Sequence, residues 1–206
     1  MTTETLEEPG MTAARQLRGT MRGRVVTPGD DGYEGCLNIF NGAVQHRPAL
    51  IAICETREDV KAAVLAAHAH RLRLSVRGGG HDWAGRCLRH DGLVIDLTAM
   101  RQVKIDPAAR IATVAGGATA HDVIAAAAPH GLVAVTGNCG SVGMAGLTLG
   151  GGYGPLGSRF GLALDNLLGV EMVLMSGARL KLGGKAFGAG GLDLRDPLTV
   201  GCGESK

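Results

Sequence analysis

Two side chains in this sequence sit where bare backbone would hold a nucleophile out to a ligand. His81 closes the run Arg77, Gly78, Gly79, Gly80, His81, Asp82. Cys139 stands near the start of a stretch, residues 131–158, that carries no Asp, Glu, Lys, Arg or His. Its glycines recur at every third position (Gly137, Gly140, Gly143, Gly146) and then bunch at Gly150, Gly151, Gly152 and Gly154, around Tyr153. Such a backbone packs little core through side chains, but it brings its own N–H groups close to a ligand. Three glycines after a strand permit positive φ and close approach to a pyrophosphate, whose oxygens need several donors at once. The same residues also fit a surface turn with an ordinary histidine. Cys139 fits either a small buried hydrophobe or a thiolate favoured by neighbouring N–H donors. On spacing alone both alternatives stand, and the long glycine stretch reads as lying along an elongated cofactor.

Other chemistries fare worse. Gly152, Gly154 and Gly157 match G-x-G-x-x-G, with Glu171 about where a ribose-binding acid falls, but Pro155, Gly161 and Gly169 break the helix that should follow. His68 and His70, two apart, face different sides of a helix and have no carboxylate or cysteine at ligand spacing, so no metal site is expected. No G-x-S-x-G elbow surrounds any serine.

The remaining residues must position these loops. The chain has 206 residues, enough for one domain or two small ones with a real core. With 45% hydrophobic and 19% charged residues it is globular rather than disordered. A net charge of +2 and 3% aromatic content argue against a nucleic-acid platform. Ten glycines, Asn138 and Pro155 make residues 131–158 a poor membrane span. Five scattered cysteines without a C-x-x-C, and an acidic N-terminus unlike a signal peptide, lead us to expect a reducing compartment, the cytoplasm.

Residues 1–10 read as a mobile tail and residues 11–23 as a short basic helix. TPGDD (27–31) is a turn before a helix start at GYEGCLNIF. ALIAIC (49–54) has strand length. Thr56 caps a helix, with Asp59 three residues on and Val60, Ala63, Val64 and Ala67 at helical spacing. Residues 73–76 form a strand that empties into the first glycine loop. Strands follow at 94–97, 102–105 and 111–114. Thr119 then caps a second helix with Asp122 three residues on, Pro129 ends it, and a strand at 132–135 empties into the second glycine loop. The pattern predicts two strand–helix–strand units, each ending in a glycine loop with one nucleophile. Beyond Ser176 periodicity is weak and little packed structure is expected.

SVRGGGHDWAGR followed by DGLVIDLTAM, and TGNCGSVGMAGLTLGGGYGPLGSRFGLALDNLL, resemble the FAD-linked oxidases of the berberine bridge enzyme type, whose cofactor domain has the vanillyl-alcohol oxidase fold. NGAVQHRPALIAIC upstream is similar to bacterial members, and the resemblance covers roughly residues 25–175. It implies an α+β FAD-binding domain of two subdomains, residues 23–100 and 101–176, with FAD between them. It implies that His81 bonds covalently to the flavin 8α-methyl and that Cys139 bonds to flavin carbon 6. The family usually has Thr at the position of Asn138, and often Ser or Pro at that of Gly140, which weakens the Cys139 assignment relative to His81. Arg77, residues 78–80, Asp82, Gly137, Ser141, Val142, Gly143, Gly146 and residues 150–154 are implied as the lining of the FAD site. Asp165 and Asn166 form a family-like pair read as structural. Complete relatives take a small-molecule substrate, a sugar or alcohol, and pass electrons to molecular oxygen. The family pattern stops near Ser176, so the sequence predicts a shortened chain with an atypical tail (177–206) and no substrate domain. That leaves two readings: an FAD-binding oxidoreductase domain, or an inactive FAD-binding remnant or half needing a partner chain.

Overall fold

The structure, a computed structural model, describes residues 8–183 and 191–193. Two sheets divide the fold. The first runs in the order β1-β2-β4-β3, from β1 (Arg24–Val26), β2 (Leu50–Ile53), β3 (Leu74–Arg77) and β4 (Leu93–Asp96). β1 is antiparallel to β2, whereas β2 and β3 both run parallel to the central β4. β4 reads LVID and is buried at all four positions, as a parallel strand covered on both faces must be.

Side-chain alternation sorts these strands between two layers. Leu50, Ala52, Leu93 and Ile95 meet the small faces of α1 (Pro9–Arg18) and α3 (Arg57–Ala69), through Ala13, Ala14, Leu17, Ala63, Val64 and Ala67. Ile51 and Val94 face the other way, onto Tyr33 of α2 (Tyr33–Cys36), Cys87 and Leu88. α1 begins at Pro9, ahead of the expected start at residue 11, because proline suits the first helical position, where no N–H bond is lost. The helix expected over 32–40 is one turn only. Residues 1–7 lie outside the described residues.

The α3 capping box is present as its spacing predicts: Asp59 N–H donates to Thr56 Oγ1, and the Asp59 carboxylate accepts from Thr56 N–H. That carboxylate also accepts from the N–H groups of Arg22, Gly23 and Glu55, at 2.8–3.2 Å, and Asp59 is 2% exposed. Burial alone would raise its pKa. The N–H groups of Glu55, Arg22 and Thr56 and the Thr56 side chain outweigh burial and hold it below the ordinary 3.8. A depressed carboxylate contributes stability above its unfolded pKa and loses it as pH falls through the folded value. Asp59→Asn, which pits an amide against four converging N–H donors, is therefore expected to cost about 2–3 kcal/mol at neutral pH. The variant should also lose less stability than wild type on acidification, in urea unfolding followed against pH.

The second sheet has the order β5-β6-β9-β7-β8, from β5 (Val103–Asp106), β6 (Ile111–Val114), β7 (Leu167–Val173), β8 (Arg179–Gly183) and β9 (Gly191–Asp193), and every pairing is antiparallel. α4 (Ala120–Ala127) carries the second capping box, Thr119 with Asp122, and buries Ala120, Val123 and Ala127 on this sheet. Two short helices, α5 (Met144–Leu149) and α6 (Gly157–Phe160), interrupt the glycine stretch.

Two expectations need correction. Residues 132–135 are not a strand. Leu132, Ala134 and Val135 are buried, but both edges of β6 are already taken by β5 and β9, and the segment is reduced to a single bridge at Val133. The strand–helix–strand unit is therefore complete only once, as β2-α3-β3. Residues 179–183, expected to lack packed structure, form β8 along Gly169–Val173 of β7, with Val170 opposite Leu182 and Met172 opposite Leu180. Residues 184–190 and 194–206 lie outside the described residues. The sheets are joined where β7 passes α3: Val173 packs on the first core and Arg57 pairs with Glu171 at 3.5 Å. Among the described residues no helix is long and apolar enough to cross a membrane.

Candidate functional site

The two glycine loops meet each other directly. β3 delivers the first past Arg77, and the turn before α5 delivers the second. A Cβ on Gly79 would lie 2.3 Å from Gly143 N and 2.8 Å from Ser141 O, and one on Gly143 would lie 2.4 Å from Gly79 N. Only glycine at both positions lets the backbones come this close. A third loop joins them, since a Cβ on Gly78 would lie 3.2 Å from Gly116 O, while Gly117 is pressed against Leu97 O. Three turns from both sheets thus converge at one junction.

Arg77 braces the junction from behind. Its guanidinium donates to Cys36 O and to Asn38 O (2.7 Å) and lies 3.6 Å from the buried Asp96 carboxylate. This fixes the 36–38 segment, and Phe40 N–H then donates to Gly80 O at 2.9 Å. The Phe40 ring consequently stacks on the His81 imidazole, with centroids 4.7 Å apart and planes 20° apart. Trp83 meets Phe40 edge-on at 5.7 Å.

The predicted nucleophiles are brought together across the junction. His81 Nε2 lies 2.9 Å from Ser141 Oγ, and Ser141 Oγ lies 3.2 Å from Cys139 Sγ. Cys139 is exposed, which excludes the buried-hydrophobe alternative. The Ser141 hydroxyl, then the N–H groups of Ser141 and Val142, hold its thiol below the ordinary 9.0 against a smaller opposing effect of burial. Cys54, by contrast, is pushed up to about 12 by burial and is inert.

The other predicted positions separate. Asp82 turns outward to Ala84 N–H and Arg86. Val142 O accepts from Ala120 N–H, tying the loop to α4. Gly137, Gly152 and Gly154 serve close packing behind α5: Gly152 has φ 74° and would clash with Ala163, and Gly154 would strike Thr136 O. Gly150 caps α5, Gly151 has φ 97°, Gly146 is open to solvent, and Tyr153 is 80% exposed. The Asp165–Asn166 pair is structural, with Asn166 Nδ2 donating to Phe160 O and Leu162 O and Asp165 accepting from Leu162 N–H.

Beside the junction lies a cleft of about 160 Å³ between Ala115 and Gly116, Met144 and Thr148 of α5, and Val170 and Glu171 of β7. Its walls are mostly apolar. Glu171 Oε2 is buried without a hydrogen-bond partner, although the carboxylate is ringed by Arg57, Arg179 and Lys181 at 3.5–3.7 Å. Glu171 thus sits on a strand rather than after a dinucleotide-binding helix, and α6 spans four residues only. The sequence reading missed this cleft and Phe40. Of the two, only Phe40 left a trace in the sequence, as a lone aromatic between Ile39 and Asn41. Among the described residues no cluster of His, Cys, Asp or Glu could hold a metal.

A glycine-built junction, two nucleophiles and an adjoining apolar cleft with a buried carboxylate oxygen lacking a hydrogen bond form a cradle that fits an extended nucleotide cofactor with a planar ring. Comparisons with known proteins agree. Residues 48–183 match the FAD binding domain family. The (R)-6-hydroxynicotine oxidase of Paenarthrobacter nicotinovorans is 40% identical over 158 residues, 77% of this chain and 34% of that protein. The solved structure of BBE-like 1 from Physcomitrella patens has a TM-score of 0.83 and 25% identity, covering 89% of this chain and 44% of its own. Xylooligosaccharide oxidase from Myceliophthora thermophila C1 gives 0.81 and 25%, covering 89% and 43%. This chain therefore spans about a third of the length of its curated relative and under half of the solved ones. It has the α+β fold of those proteins, and it belongs to the FAD binding domain family, in which its relatives include FAD-linked oxidases and berberine-bridge-enzyme-like proteins.

Proposed function

We propose that the junction of the glycine loops holds FAD covalently, through His81 and also Cys139, as the cofactor domain of an oxidase. The observation that carries this reading is the convergence of His81, Ser141 and Cys139 within two successive contacts, at 2.9 and 3.2 Å, on a junction only glycine can form. Residues 23–100 and 101–176 act as the two subdomains. Residues 78–80 and 141–143 lie along the pyrophosphate. The cleft by Val170 accepts the adenine end, where Glu171 Oε2, which has no hydrogen bond and lies 3.7 Å from Lys181 Nζ, suits an amino group. Bound there, FAD would supply the hydride acceptor, while the protein supplies its placement. The substrate class is a small molecule with an oxidisable C–H beside nitrogen or hydroxyl, a range set by the relatives' names. Molecular oxygen is the acceptor. The four described cysteines are all unpaired, which fits a reducing compartment such as the cytoplasm.

Gel filtration after incubation with FAD tests the assignment. One flavin per chain is expected to co-elute and to stay with the polypeptide on acid precipitation. Flavin eluting wholly free would overturn it. Within the same experiment, Cys139→Ser is expected to keep its flavin through His81 alone, with an altered visible spectrum. An unchanged spectrum would remove Cys139 from the attachment.

A further inference from the structure

Ser141 stands between the two nucleophiles and has a single proton to give. Its hydroxyl oxygen contacts His81 Nε2 at 2.9 Å on one side and Cys139 Sγ at 3.2 Å on the other. With His81 neutral, two directions of hydrogen bonding are open along this chain. When residue 139 is a thiol, its S–H donates to Ser141 Oγ, Ser141 donates to Nε2, and the ring proton sits on Nδ1. When residue 139 is a thiolate, Ser141 donates to sulfur, Nε2–H donates to Ser141 Oγ, and Nδ1 carries a bare lone pair. Three protons are on the chain in the first state and two in the second, and the difference leaves to solvent.

We propose that Ser141 is a positioning residue that couples Cys139 to His81, so that a thiolate at residue 139 fixes the imidazole as its Nε2–H tautomer and leaves Nδ1 as the nucleophilic nitrogen. This rests on the reading of His81 as the attachment residue. The stacked Phe40 ring keeps the imidazole from rotating out of the arrangement. The thiol is already held below its ordinary pKa, chiefly by the Ser141 hydroxyl. The other titratable groups around the chain are tied elsewhere: Asp82 pairs with Arg86, and Arg77 with Asp96. His121 packs against Gly140 through its Cβ.

The test is the His81 tautomer in protein free of FAD, read from long-range 1H–15N NMR while the thiolate is followed by its ultraviolet absorbance. In wild type the ratio of Nε2–H to Nδ1–H tautomer is expected to rise about tenfold in step with thiolate formation, the scale of one charge-assisted hydrogen bond. In Ser141→Ala the ratio should not follow the thiol, and covalent loading of FAD should slow by about tenfold. Ser141→Thr, which keeps the hydroxyl, should restore both. A wild-type ratio that stays constant through the thiol titration overturns the relay, as does full coupling in Ser141→Ala. Failure of wild type to take up FAD would overturn the proposed function instead, and the tautomer measured without FAD still decides the relay.

Discussion

Gly79→Ala is expected to destabilise the fold by about 2–4 kcal/mol and to abolish FAD retention, although it adds a single methyl group. The added carbon would stand 2.3 Å from Gly143 N and 2.8 Å from Ser141 O, both backbone atoms that no side-chain rotation can move. Relief requires the two loops to part, and parting them separates His81 from Ser141. Gly35→Ala is the control. A Cβ there meets nothing within 4 Å, so stability should change by less than about 0.5 kcal/mol. Urea unfolding of the three proteins checks the first half of the prediction, and flavin co-elution the second. A Gly79→Ala protein that kept both stability and flavin would mean that the loops do not need to touch.

His81→Ala is the second large effect, and it falls on cofactor attachment rather than on stability. The imidazole is half-buried, and its contacts are one hydrogen bond and one stacked ring. Losing them should cost about 1 kcal/mol or less. Acid-stable flavin, however, should fall to whatever Cys139 alone retains, and to none in the double variant with Cys139→Ser. Acid precipitation with flavin absorbance measured in pellet and supernatant distinguishes the cases. Flavin retained in full by the double variant would remove both residues from the account.

Much of this was legible in the sequence where the physics is local. Thr56 with Asp59, and Thr119 with Asp122, announce their helices because a capping box needs only four consecutive residues. His81 and Cys139 announce themselves because few roles explain a nucleophile set among glycines. The meeting of Gly79 with Gly143 could not be read, since nothing local to either loop specifies a contact across 64 residues. The 132–135 segment was misread for a related reason. Burial of Leu132 and Val135 leaves a strand-like pattern, but whether a sheet edge is free to receive it depends on β5 and β9. β8 was overlooked because surrounding glycines hid the alternation of RLKLG, which β7 completes. The brace formed by Arg77 with Cys36 O and Asn38 O shows the same limit: the sequence puts Arg77 beside the glycine loop, but not that its side chain points behind it.

The most direct test is the intact mass of the freshly purified chain, followed by mapping of the flavin-bearing peptide. The account predicts a mass larger than the polypeptide by one FAD, with flavin carried on the peptide that contains His81. A chain that binds FAD at full occupancy yet has the bare polypeptide mass, or that carries its flavin on a peptide containing neither His81 nor Cys139, would contradict it.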